Sequence, residues 1–362
     1  MNHPLPHNRI TQKDVAQALR LAQSTVSMAL RGDPSIPVQT REEVRHAALA
    51  MGYRPNPTGA ALAHFRASSR HQPVQAALAW LNCWDDPARL RGYREFDCYW
   101  EGASKAAHGL GYRLEEFVVN RELTLERFGE ILHARNINGI LLPPGPTPPG
   151  WERFDWSGFS VVRLSQPGRK CDLEACAVAG DQTRNGMLAF DSMQKLGYSR
   201  IGYCGLHWQD RLFCAGFLWG QQQTEGEDRI PPLLLSSEQR AEWDSRLETW
   251  LEECRPDAIL TDLPEMPAML ADAGLRVPQD IGLAAMGTLD CPIDAGIHQN
   301  PHEIGRTAVM MLASLINDRI HGVPLIRQTL LIGGSWVNGS SLPEKRTAIS
   351  RGLSVVPIAA AV

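Results

Sequence analysis

The chain has 362 residues, 43% of them apolar, and a formal net charge of −4. At ~150 residues per domain the length points to two or three domains, and the apolar content excludes a disordered chain. The charge is uneven: residues 1–70 hold nine Lys/Arg against four acids, and the other 292 hold 27 against 36. A small basic head on a larger acidic body is the pattern of a polyanion-binding module joined to something else.

Three short helices are expected within residues 10–52. The first covers Asp14–Leu19, with Thr11 as cap and Asp14 three residues on. The second runs from Gln23 to Arg31, with Val26, Ala29 and Leu30 as its apolar stripe and Ser24, Ser27, Met28 and Arg31 on the other side. The third runs from Thr40 to Met51 and stops at Gly52. Three helices with a short turn between the first two describe a helix-turn-helix. Next, Asn56 is a good N-cap and Pro57 suits a first helical position, so about two turns of helix are expected over Thr58–Phe65. Such a helix is too short to be stable alone.

From Val74 the pattern changes. AALAWL, RLEEFVV, GILLPP, SVVRL, AVAGD, IGYCG, PDAILTD and IGLAAMG are strand candidates, with helices between them, among these Tyr99–Leu110 and Thr124–Arg135. Strands alternating with helices indicate βαβ units and parallel sheets. A body this large is expected to form two lobes around a cleft. The boundaries that follow are a head at 1–55, a hinge and linker at 56–72, a two-lobed body at 73–342 and a tail at 343–362.

The eight cysteines, Cys83, Cys98, Cys171, Cys176, Cys204, Cys214, Cys254 and Cys291, show no C-x-x-C spacing. They read as buried free thiols of a reducing compartment, and neither a zinc knuckle nor a cofactor is expected. No uncharged apolar run reaches the ~18 residues of a membrane span. MNHPLPHNRI lacks the apolar stretch of an export signal, so a cytoplasmic protein is expected. Enzyme signatures such as G-x-S-x-G, G-x-x-x-x-G-K-[ST] and H-E-x-x-H do not occur.

The run TQKDVAQALRLAQSTVSMALRG, followed by TREEVRHAALAMGYRPNPTGAAL, resembles the lactose-repressor (LacI/GalR) family of transcription regulators. The matching residues are D-V-A at 14–16, S-T-V-S at 24–27, T-R-E at 40–42, G-Y-x-P-N at 52–56 and Leu62. Weaker likeness continues through GLGYRLEEF, KLGYSRIGYCG, RVPQDIGLAAMG and QNPHEIGRTAVMML. The resemblance implies an α/β chain: a helix-turn-helix head, a hinge helix, and a two-lobed periplasmic-binding-protein-like effector domain with parallel sheets.

It also implies roles. The second helix would enter the DNA major groove, with Gln23, Ser24 and Met28 at base edges. Thr25, Ser27, Arg31, Ser35 and Thr40 would contact phosphates. Asn56 would cap the hinge helix, and Leu62 would wedge into the minor groove. Arg20 and Ala22 depart from the family's usual glycine and capping Ser/Thr, and Pro37 from a frequent serine. In the body, Asp181, Asp262 and Gln299 match effector-contacting positions. A family arginine is replaced by Phe213, for which Arg211 could substitute, and a family aspartate by Leu289, with Asp290 beside it. Trp84, Trp100 and Trp208 are candidates for stacking on a sugar.

The expected partners are a pseudo-palindromic DNA operator, a small effector such as a sugar, and a second copy of the chain, with no membrane. The alternatives are a periplasmic-type receptor or a sugar-processing enzyme on the same α/β body.

Overall fold

The structure is a computed structural model. It describes residues 10–30, 35–53, 76–119, 123–146, 150–166, 173–206, 211–224 and 226–345. The chain divides into two compact units, residues 1–72 and 73–362. Arg31, Asn56, Leu62, Cys171 and Trp208, with the hinge and most of the tail, lie outside the described residues.

In the first unit, α1 (Gln12–Leu19), α2 (Gln23–Leu30) and α3 (Val38–Ala50) pack around Val15, Val26, Ala29, Val44 and Ala48. The Thr11 hydroxyl accepts from the Asp14 backbone, and the Asp14 carboxylate accepts from the Thr11 N–H, which closes a capping box. α3 begins two residues before its expected start, with Pro37 as a cap that offers no side-chain bond. It ends in a Schellman turn: the Gly52 N–H bonds Leu49 O and the Tyr53 N–H bonds Ala48 O. Gly52 has φ +71, a conformation that favours glycine.

The second unit holds two lobes. The first lobe is built on β1 (Ala76–Asn82), β2 (Tyr112–Val118), β3 (Gly139–Leu142), β4 (Ser160–Arg163), β5 (Cys176–Gly180) and β11 (Thr329–Ile332), in the order β11-β5-β4-β3-β1-β2 with every pair parallel. The second uses β6 (Ile201–Leu206), β7 (Leu233–Leu235), β8 (Ala258–Thr261), β9 (Gly282–Ala285), β10 (Gly296–His298) and β12 (Ser335–Val337), in the order β12-β10-β9-β8-β6-β7. Here the parallel expectation meets one exception, because β12 runs antiparallel to β10.

Helices cover both faces of the sheets. α4 (Ala88–Gly92), α5 (Arg94–Gly109), α6 (Leu125–Ala134) and α11 (Pro301–Asn317) belong to the first lobe; α7 (Gln182–Lys195), α8 (Arg211–Gln221), α9 (Trp243–Cys254) and α10 (Met266–Asp272) belong to the second. Side chains alternate across β1: Leu78 and Trp80 join the core under α5 and α11, and Ala79 and Leu81 join the core under α6. Burial on both faces explains why the strands read as continuous apolar runs rather than alternating ones. α5 and α11 are in backbone contact. A Cβ on Gly102 would collide with the His302 carbonyl, and one on Gly305 with the Tyr99 carbonyl.

The chain passes between the lobes three times, at Gly180–Gln182, His298–Pro301 and Ile332–Ser335. Polar side chains tie these crossings together. Gln182 donates to Gln299 Oε1 (2.7 Å), Asn300 donates to Gly333 O (2.9 Å), and the Gly334 N–H donates to Asn185 Oδ1 (2.8 Å). Pro343 and Lys345, assigned to the tail by sequence, pack on the second lobe: Tyr198 donates to Pro343 O, and the Lys345 N–H donates to Leu196 O.

Candidate functional site

In the head, Gln23 and Ser24 stand exposed on the first turn of α2, and Thr25 and Ser27 are half-buried beside them. Ser35 is exposed and Thr40 half-buried. Met28 does not stand free. It is half-buried and packs against the head core around Val26 and Ala29. Arg20 takes up the left-handed conformation (φ 54) that closes α1 and redirects the chain into α2.

In the body, a cavity of about 430 Å³ lies between the lobes. Its lining comes from the carboxyl ends of parallel strands on both sides: Leu164–Gln166 after β4, Ala179 and Gly180 in β5, Asp262 after β8, and Met286 and Gly287 after β9. Ligand sites in parallel α/β sheets open at this end. The volume falls in the range of small-molecule pockets.

Of the residues singled out from sequence, Arg211, Asp262, Asp290 and Gln299 line this cavity. Asp181 is placed differently. It sits at the first crossing, where its Oδ1 accepts from the Arg184 N–H and caps α7; its neighbours Gly180 and Gln182 line the cavity. Trp84 donates to Pro144 O, and Trp100 packs edge-on against Trp80 under the Arg91 guanidinium, so neither belongs to the lining. The aromatic walls are Phe96, Tyr99 and Phe213 instead.

Sequence reasoning missed Glu95, Gln166 and Gln182. Glu95 sits in the first turn of α5 and accepts from the Tyr99 hydroxyl at 2.8 Å. Burial raises its carboxyl above the usual value; the tyrosine bond opposes this, and the Asp290 charge adds to it. Asp290 reaches across from the second lobe and accepts from the backbone N–H groups of Arg94 (2.6 Å) and Glu95 (2.9 Å). The N-terminus of α5 is thus capped by a carboxylate of the other lobe.

This arrangement meets known proteins in several comparisons. Residues 190–342 match the periplasmic binding protein-like domain. The chain is similar in structure to a CelR transcriptional regulator in complex with cellobiose (18% identity, TM-score 0.56, 92% of this chain and 100% of that one). It is also similar to the lac repressor dimer bound to operator (18%, TM-score 0.51, 93% and 100%). The fold is that of the LacI-type regulators. A LacI-family regulator from Enterococcus faecium with bound ribose shares the fold as well (15%, TM-score 0.53, 75% and 100%). In sequence, 54 residues are 43% identical to the HTH-type regulator MalR of Staphylococcus xylosus. That match spans 15% of this chain and 16% of the curated relative. Among the described residues, no helix is long and apolar enough to cross a membrane.

Proposed function

We propose that the protein is a DNA-binding transcription regulator, a repressor, whose grip on an operator is set by a hydroxyl-rich effector in the interlobe cavity. The observation that carries this reading is the joining, in one chain, of a helix-turn-helix with polar Gln23 and Ser24 exposed on its second helix to a two-lobed body with a small-molecule cavity. Gln23 would pair with adenine, and Ser24 would donate or accept at a base edge. Thr25, Ser27, Arg31, Ser35 and Thr40 would hold phosphates, and Asn56 and Leu62 would build the hinge contact in the minor groove. Two copies of the chain would read a pseudo-palindromic site in the cytoplasm.

In the cavity, the amides of Gln166, Gln182 and Gln299 and the carboxylate of Asp262 match the donors and acceptors of vicinal hydroxyls. Phe96, Tyr99 and Phe213 offer apolar faces to a sugar ring. Binding there would favour one lobe arrangement over another and so change the head's affinity for DNA.

The test is selection of bound sequences from random duplexes with the full chain, beside Gln23→Ala and Leu62→Ala. The expected result is an inverted-repeat consensus that loses one position per half-site in Gln23→Ala and loses affinity throughout in Leu62→Ala. Recovery of no consensus from the wild type would overturn the proposal.

A further inference from the structure

Cys98 and Glu101 lie three residues apart on α5, and His302, the second residue of α11, meets them from the neighbouring helix. One ligand-capable atom of each, the thiol sulfur, a carboxylate oxygen and an imidazole nitrogen, lie within 4.8 Å of one another. His302 Nε2 and Glu101 Oε2 are 2.8 Å apart. The other oxygen of Glu101 accepts from Arg94 Nη1 at 3.0 Å. The helices cannot drift apart or rotate freely here, because Gly102 and Gly305 bring their backbones into contact at this level.

We propose that Cys98, Glu101 and His302 form a binding site for a zinc-like divalent transition metal. Zinc bonds sulfur at ~2.3 Å and nitrogen or oxygen at ~2.0–2.2 Å, so tetrahedral ligand atoms stand roughly 3.3–3.6 Å apart. The three groups need side-chain adjustments of about 1 Å to reach that spacing. Mixed sulfur, nitrogen and oxygen donors favour zinc or cobalt over magnesium or calcium. Glu101 and His302 are exposed, which leaves a fourth position for water. Arg94 acts outside the metal shell, holding one carboxylate oxygen so that the other faces His302.

A cysteine binds such an ion as the thiolate, so metal binding must release the thiol proton. The bound ion would pin α5, which carries Glu95 and Tyr99 into the cavity, to α11. An ion pair of Glu101 with His302 alone would need no cysteine, and that difference makes the proposal testable.

The experiment is titration of the untagged, reduced full chain with Co²⁺, followed by Zn²⁺. The proposal expects thiolate-to-cobalt charge-transfer absorption that saturates at one equivalent, release of one proton, and loss of the absorption on adding zinc. Cys98→Ser should abolish the absorption, and Cys83→Ser should keep it. The exposed His302→Gln should weaken cobalt binding by more than the roughly 10- to 100-fold that loss of an outer-shell partner costs. Absence of the absorption in the wild type, its survival in Cys98→Ser, or unchanged affinity in His302→Gln would overturn the proposal. If Cys98→Ser fails to fold, the His302→Gln affinity decides the matter alone.

Discussion

Asp290 and Glu95 belong to different lobes, yet the Asp290 carboxylate accepts the Glu95 backbone N–H at 2.9 Å while its charge adds to the burial that raises the Glu95 carboxyl. One side chain thus caps a helix across the cleft and adds to the upward shift of a carboxyl on the cavity wall. Asp290→Ala should cost about 0.5–2 kcal/mol, the usual range for a lost cap. It should also widen the lobe arrangement. Thermal unfolding measures the first effect, and the radius of gyration from solution scattering measures the second.

Glu95 sets a pH dependence. Its pKa is raised in the folded state, so the folded protein binds this proton more tightly than the unfolded chain does. The protein should lose stability as pH rises from the ordinary carboxylate value through the raised one, and keep that loss above it. Glu95→Gln removes the titrating group. Its denaturant midpoint should exceed the wild type's at neutral pH, and the gap should close on acidification. A gap that widened in acid would contradict the burial assignment.

Arg20 holds the left-handed backbone that a glycine would hold without strain. Arg20→Gly should stabilise the head by a few tenths to about 1 kcal/mol, the αL penalty being partly offset by glycine's greater unfolded freedom. Slower amide hydrogen exchange in α1 and α2 of the full chain would register the gain.

Operator affinity should fall with salt by ~0.9 log units per log unit for each phosphate neutralised. If Thr40 holds a phosphate as proposed, removing its uncharged hydroxyl should weaken binding to all sequences and leave that slope almost unchanged. Fluorescence anisotropy over a salt series distinguishes this from a base-reading change such as Met28→Arg. Because Met28 is packed against the head core, Met28→Arg should shift base preference and also lower head stability.

Gly305→Ala tests the α5–α11 contact. The added methyl meets the Tyr99 carbonyl, and moving a backbone costs typically 1–3 kcal/mol or more. Calorimetry of the two-lobed unit should show a lower midpoint. The same substitution at exposed Gly109, whose Cβ would meet nothing within 4 Å, should not lower it.

The head was legible because its helices announce themselves locally: Thr11 and Asp14 three apart, Val26 and Ala29 on one face, Gly52 at a stop. The buried strands were legible for a similar reason, as apolar runs bounded by turns, even where they span only four residues as in β3, β4, β8 and β9. The start of α5 was not. The expected helix began at Tyr99, and the true one begins at Arg94, because its first turn is capped by Asp290, almost two hundred residues away. β7, β10 and β12 are three residues long, too short to stand out as a run, and β11 is a largely exposed strand at the sheet edge. The cavity was half legible: Asp262 and Gln299 stood out through the family resemblance, whereas nothing in REFDCY marks Glu95 as a wall of the site. Cys98 and His302 become neighbours only through the packing of α5 on α11.

The thrice-crossing path has a consequence for synthesis. The first lobe opens the two-lobed body, yet its cover helix α11 and its edge strand β11 are contributed after the whole second sheet up to β10. A chain growing from the ribosome therefore carries the apolar side of β1, with Leu78 and Trp80, uncovered by Ile304, Ala308 and Leu312 until those residues emerge. The lobe translated first is completed late, and a premature stop before about position 301 leaves a nascent product whose first sheet lacks the cover of α11 for chaperones or proteases to take.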